Sequence, residues 1–117
     1  MKVHTSYKSK LINQQESRMN NKILKSSTAT YQSGVAKADG KFYITQGEVR
    51  FEPYNESAGL GPYTLTRSAI VKIEKSVGTG AGILALTSDA ITITLENEDT
   101  YDFIIANPDE WIRLLKH

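Results

Sequence analysis

Cysteine is absent from this sequence, which excludes a disulfide framework and any thiolate-bound metal. Histidine is scarce, with His4 and His117 standing at the two ends of the chain. Terminal residues are poorly ordered unless tied down, so neither is expected to act as a general base or a metal ligand. Long apolar runs are missing as well. The longest covers residues 81–86 and is interrupted by Gly82, far short of the roughly 20 residues of a membrane-spanning helix. No apolar stretch of the secretory type opens the sequence, so a cytoplasmic location is expected, and the glycosylation pattern Asn55-Glu56-Ser57 then has no consequence.

What is present is a globular composition. With 39% hydrophobic and 23% charged residues among 117, the chain can bury one core and is too short for two. The net charge of +1 hides an uneven distribution. Up to Lys37 there are seven basic residues (Lys2, Lys8, Lys10, Arg18, Lys22, Lys25 and Lys37) against Glu16, a balance of +6; the remainder carries −5. That contrast predicts a basic arm over residues 1–25, helical or disordered, attached to an acidic body over residues 26–117.

From Lys41 onward the hydrophobic period is two, the period of half-buried strands. Phe42 and Ile44 alternate with Tyr43 and Thr45; Gln46-Gly47 turns the chain; Val49 and Phe51 alternate with Glu48, Arg50 and Glu52. A hairpin is expected. Residues 53–62, with two prolines, two glycines and Asn55, read as a long surface loop leading to a short strand at 63–66. Residues 70–75 are rich in β-branched residues, and Ile91, Ile93 and Leu95 oppose Thr92, Thr94 and Glu96. After the turn Asn97-Glu98-Asp99, Tyr101, Phe103 and Ile105 share a face. A first strand is expected over 27–35, ending before a turn at Ala38-Asp39-Gly40, for about seven strands in all.

The end of the chain changes period. Asn107, Pro108 and Glu110 have the types expected of a helix N-cap, first residue and capping-box partner, and Trp111, Leu114 and Leu115 then form one apolar stripe. So short a helix is stable only when packed, and the open end of a β-barrel is its natural target.

Three stretches together resemble the GRAM domain family. Gly40-Lys41-Phe42-Tyr43-Ile44-Thr45 with Val49-Arg50-Phe51-Glu52-Pro53 is similar to that family's second and third strands. Ile70-Val71-Lys72-Ile73-Glu74-Lys75 is similar to its fifth strand, and residues 91–111 to its closing hairpin and capped helix. The likeness runs from about Lys22 to Leu115. It implies a pleckstrin-homology-like fold: a mainly β, partly open barrel of about seven antiparallel strands in two near-orthogonal sheets, capped by a C-terminal helix. It also implies docking to lipids or proteins without chemistry of its own. Lipid-binding relatives place basic residues between the first two strands; Lys37 and Lys41 fall there around Asp39, but no arginine follows two residues after Lys41.

The remaining candidates are weighed against simpler roles. Gly78-Thr79-Gly80-Ala81-Gly82 lacks both the dinucleotide spacing and a following Lys-Ser/Thr, so it reads as a strand connection. Glu96, Glu98, Asp99 and Asp102 read as a solvated turn. Most aromatic residues at strand spacing read as core, with Tyr54 and Tyr63 singled out because they flank the long loop and stand to be partly exposed. In the arm, Leu11, Ile12, Met19 and Ile23 fall near one helical stripe with Lys8, Lys10, Arg18 and Lys22 beside it, a weak basic amphipathic pattern. The expected function is a non-enzymatic binding or adaptor module whose partner is a protein, or a second copy, in preference to a lipid. Attachment of the arm to an anionic membrane is the alternative, and a small-molecule-binding protein or enzyme stands third. The expected contact residues are Lys8, Lys10, Arg18, Lys22, Lys37, Lys41, Tyr54 and Tyr63; no cofactor, metal or nucleic acid is expected.

Overall fold

The computed structural model describes residues 22–80 and 84–116. Seven antiparallel strands, β1 (Lys25–Ser33), β2 (Ala36–Ile44), β3 (Glu48–Pro53), β4 (Tyr63–Thr66), β5 (Ile70–Gly80), β6 (Leu84–Leu95) and β7 (Thr100–Ile105), are followed by the helix α1 (Pro108–Leu115). The strands form one continuous curled sheet in the order β4-β3-β2-β1-β7-β6-β5, rather than two separate sheets. β1 is the joint, pairing with β2 along its whole length and with β7 over Ala29 to Gln32.

Alternation sets which face is inside. Ala29 and Tyr31 from β1, Phe42 and Ile44 from β2, Val49 and Phe51 from β3, and Leu65 from β4 point into the curl with Ile91, Ile93, Phe103 and Ile105. β2 departs from a simple half-buried strand near its end, because Tyr43 on its other face and Thr45 just beyond it are buried as well. The Tyr43 hydroxyl donates to Glu52 (2.7 Å), while Lys41 Nζ lies 5.0 Å and Arg50 Cζ 5.7 Å from its ring centre, so neighbouring long side chains cover it.

The first turn is not where the sequence reading put it. β1 ends at Ser33 and the chain reverses at Gly34-Val35, where Gly34 supplies a φ of 63°. Ala38-Asp39-Gly40 therefore lies inside β2. Gly40 serves close packing instead: a Cβ there would sit 2.7 Å from Pro53 Cα and 2.8 Å from Phe51 Cε1, and closer still to the Glu52 carbonyl. The fifth and sixth strands also run longer than expected. Gly78, Thr79 and Gly80 belong to β5, and Ala81 and Gly82 of the supposed connection lie outside the described residues.

α1 closes the curl by inserting Trp111 and Leu115. Trp111 meets Phe42 edge-on with ring centres 5.0 Å apart. Its N-terminus differs from a side-chain capping box. Asn107 adopts left-handed backbone (φ 56°, ψ 53°), a region asparagine tolerates, and its side chain caps nothing; its carbonyl starts the helical ladder. Glu110 accepts from Lys25 Nζ (3.2 Å) rather than reaching back to the cap. At the other end Arg67 donates to the Thr45 (3.0 Å) and Leu114 (3.2 Å) carbonyls, so one guanidinium joins the end of β2 to the helix's last turn and satisfies an orphan carbonyl there.

Away from the helix, Tyr31, Tyr63 and Tyr101 gather around the other mouth in tilted and edge-on contacts, with ring centres 5.0 Å (Tyr31–Tyr63) and 5.3 Å (Tyr63–Tyr101) apart. Burial, then the Tyr63 hydroxyl, raises the pKa of Tyr31 above its usual 10.0; burial, then the Asp99 charge, raises that of Tyr101.

Three outcomes follow from this packing. Trp111→Ala is expected to cost about 3–5 kcal/mol, read as a lowered thermal midpoint, because it removes the ring that fastens α1. Gly40→Ala is expected to cost about 1–3 kcal/mol, since the obstructing atoms at β3 are mostly backbone; a midpoint equal to the parent's would refute the close approach. The unfolded chain releases tyrosine protons near pH 10.0, before Tyr31 and Tyr101 do so in the fold, so stability is intact below that pH and falls as pH rises above it. In urea unfolding followed across that range, Tyr31→Phe should make the fall shallower.

Candidate docking site

The first hairpin and the β3–β4 connection converge on one side of the sheet. Gly34 turns β1 into β2 so that Lys37, Asp39 and Lys41 fall along β2, and β3 ends at Pro53, directly opposite Gly40. The next residue, Tyr54, is held by a bond from its backbone N–H to the Asp39 carbonyl (2.9 Å). Its ring lies over the neighbouring strand with the hydroxyl 3.3 Å from Thr28 Oγ1, yet 67% of the residue is exposed. Asn55 then stops the chain from running on as a strand. Its Oδ1 accepts from the Ser57 backbone N–H (3.0 Å) and hydroxyl (2.6 Å), which starts a short 3-10 turn, Glu56–Ala58, that Gly59 ends with a φ of 73°.

These residues enclose an open cleft of about 310 Å³ lined by Lys37, Ala38, Asp39, Tyr54 and Asn55. Asp39 is oriented by the Thr30 hydroxyl, which donates to its Oδ1 (2.6 Å). The cleft thus offers a cation, a fixed carboxylate, an exposed aromatic face and an amide, a set that binds by hydrogen bonding, charge and contact area. Lys41 stands one step further along β2 with its ammonium over the Tyr43 ring. Burial, then the hydrogen bond to Glu52, raises the Tyr43 pKa above its usual 10.0.

Of the expected contact residues, the structure brings Lys37 and Tyr54 together, with Lys41 beside them. Tyr63 is separated from Tyr54, because at the far end of the loop it re-enters the sheet opposite Phe51 and turns inward against Tyr31 and Tyr101. Lys22 is exposed but precedes β1, and the nine residues of β1, at about 3.3 Å each, put it on the order of 30 Å from the Gly34 turn. Lys8, Lys10 and Arg18 lie outside the described residues, as do His4 and His117. Asp39, Thr28 and Thr30 were missed as site residues, since nothing marks them until β2 is registered against β1. The signal for Asn55 was in view, because the Asn-x-Ser triplet that reads as a glycosylation pattern is also the pattern of an Asx turn.

Two other clefts flank α1 and are occupied with holding it. One, of about 430 Å³, is lined by Lys25, Glu110, Arg113 and Leu114, and Lys25 both pairs with Glu110 and lies 5.1 Å from the Trp111 ring centre. The second is lined in part by Arg67 and Leu115, the residues that fix the helix end. Among the described residues no group of three His, Cys, Asp or Glu side chains is placed to hold a metal ion.

No protein-family model matches this sequence, and no curated protein does. Solved structures do. The C-terminal domain of an unknown protein from Leishmania infantum superposes with a TM-score of 0.67 at 16% identity, over 97% of this chain and 94% of that one. A chain in the complex of human RhoA, its inhibitor and the DH/PH domain of human ARHGEF11 gives 0.59 at 16% identity, covering 81% of this chain and 28% of the other. The Slm1-PH domain in complex with phosphoserine gives 0.58 at 13% identity, over 80% and 91% of the two chains. At such identities the likeness establishes the fold, and that fold is pleckstrin-homology-like: seven antiparallel strands in a curled half-barrel closed by a C-terminal helix.

Proposed function

We propose that this chain is a GRAM-like adaptor without chemistry of its own, and that the cleft between Lys37, Asp39, Tyr54 and Asn55 docks a segment of a protein partner. The observation that carries the reading is the mixture of groups in the cleft. A surface that captures anionic lipid gathers uncompensated cations, whereas here Asp39 stands beside Lys37, Glu52 lies directly across from Lys41, and the Lys41 ammonium rests on Tyr43. An exposed tyrosine framed by both signs of charge suits a peptide, with the ring giving contact area and the charges selecting register. The structural neighbours support a binding role in general terms, since one comes from a complex with RhoA and another is a complex with phosphoserine. In this reading the basic arm that precedes β1 adds to protein contacts rather than anchoring the chain to a membrane.

The test is a photo-crosslinking amino acid placed at Tyr54 in the full chain, with flotation on phosphatidylcholine–phosphatidylserine vesicles run beside it. A discrete protein adduct that disappears with Lys37→Glu or Asp39→Lys, with no flotation, is expected. Salt-sensitive flotation without an adduct would replace this reading with membrane attachment. As both substitutions lie at the surface, an unchanged thermal midpoint is expected for each.

A further inference from the structure

The two ends of the sheet are unequal. β4, at one end, is four residues long, which leaves little backbone unpaired. β5, at the other, has eleven residues and contains no proline; it pairs with β6 on one side, in unbroken register over Lys72–Ser76 between irregularities at Ile70/Lys72 and Ser76/Gly78, and pairs with no described strand on the other. A long edge of this kind is a template for another strand unless it is covered. Its outward side chains are exposed: Val71 is 63% accessible, and the side chains of Lys72 and Glu74, which form an ion pair at 3.5 Å on one face, are 62% and 49% accessible.

We infer that the β5 edge is a self-association surface, on which a second copy of this chain adds its own β5 antiparallel, with Ile73 on the two-fold axis. The register follows from geometry and charge. Two identical antiparallel strands related by a two-fold axis perpendicular to their sheet must place a residue, not a peptide bond, opposite its own copy, because directly paired residues point to the same face. An axis at Lys72, Glu74 or Lys75 sets like charges against each other. An axis at Ile73, inside the stretch that pairs regularly with β6, sets Lys72 of each copy opposite Glu74 of the other, while Lys75 stays paired with Asp109 of α1 (3.5 Å). The existing Lys72–Glu74 pair then becomes half of an alternating four-charge cluster in which each charge has an opposite neighbour along its own strand and another across the interface. In the sheet order, β1, β7 and β6 separate β5 from β2, so self-association leaves the proposed cleft free.

Sedimentation equilibrium of the full chain, from micromolar to sub-millimolar concentration, tests this. The parent chain should dimerise, and moderate salt should weaken the dimer because the four charges are exposed. Lys72→Glu and Glu74→Lys should each weaken it by roughly tenfold or more, since each places like charges across the interface twice. The double exchange K72E/E74K restores the alternation and should return the dissociation constant to within about threefold of the parent, a recovery that general loss of β5 stability would not produce. A parent chain that stays monomeric, a dimer indifferent to both single exchanges, or a double exchange as weak as the singles would overturn the inference.

Discussion

The structure depends on a line of aromatic contacts that crosses the inside of the curl. Trp111 on the helix meets Phe42, Phe42 meets Phe103 at 4.8 Å, Phe103 meets Tyr31 at 5.5 Å, and Tyr31 passes the contact to Tyr63 and Tyr101 at the far mouth. Each step joins elements distant in sequence: α1 to β2, β2 to β7, β7 to β1, β1 to β4. A curled sheet that does not close on itself has no hydrogen-bond cycle to hold its curvature. Ring packing supplies that hold here, because edge-to-face and tilted pairs add about 0.5–1.5 kcal/mol each beyond the area they bury. Remove the helix end of the line and the curl loses its stopper; the tyrosine end is the more polar, with hydroxyls that can meet water.

That interior line frees the outer face for recognition. At Tyr43, β2 is buried on both sides, yet its outer side there is covered by long polar side chains rather than by another layer of structure. Covering of this sort leaves charged tips in water while the stems exclude it. The Gly40 contact with β3 brings β2 and the Pro53 end close enough for Tyr54 to bond to Asp39, so a packing glycine inside the strand positions the exposed ring outside it.

Much of this was legible in the sequence, and the legible parts share a cause. Strands 63–66 and 100–105 and the helix at 108–115 were readable because alternation and the 3.6-residue stripe reflect burial on one side, which is local. The misplaced first turn shows the limit. Ala38-Asp39-Gly40 has turn chemistry as good as that of Gly34-Val35, and only the nonlocal approach of Glu52 and Pro53 assigns Gly40 to packing. Asn107 illustrates the same point at the helix: its type suits a side-chain cap, but its left-handed backbone turns the side chain away and leaves Glu110 to Lys25. The cleft was half visible. Lys37 and Tyr54 stood out as residue types, whereas Asp39 and Thr30 acquire meaning only once β1 and β2 are registered, with Thr30 opposite Asp39.

The extra length of β5 and β6 has a further consequence for how an open half-barrel manages its edges. A proline or a short strand would have blunted β5 at the cost of its pairing with β6, and that pairing places Ile73 opposite Ile93 in the core. The edge must therefore stay regular for at least the stretch that carries Ile73. Irregularities at Ile70/Lys72 and beyond Ser76 confine that regular stretch, and within it charge is the device that keeps the edge from indiscriminate pairing, supplied by Lys72 and Glu74 while Lys75 pairs with Asp109. Alternating signs do more than repel. They reject most registers and most foreign strands while accepting one self-paired register, so the residues that protect the edge also define the one partner strand that fits it.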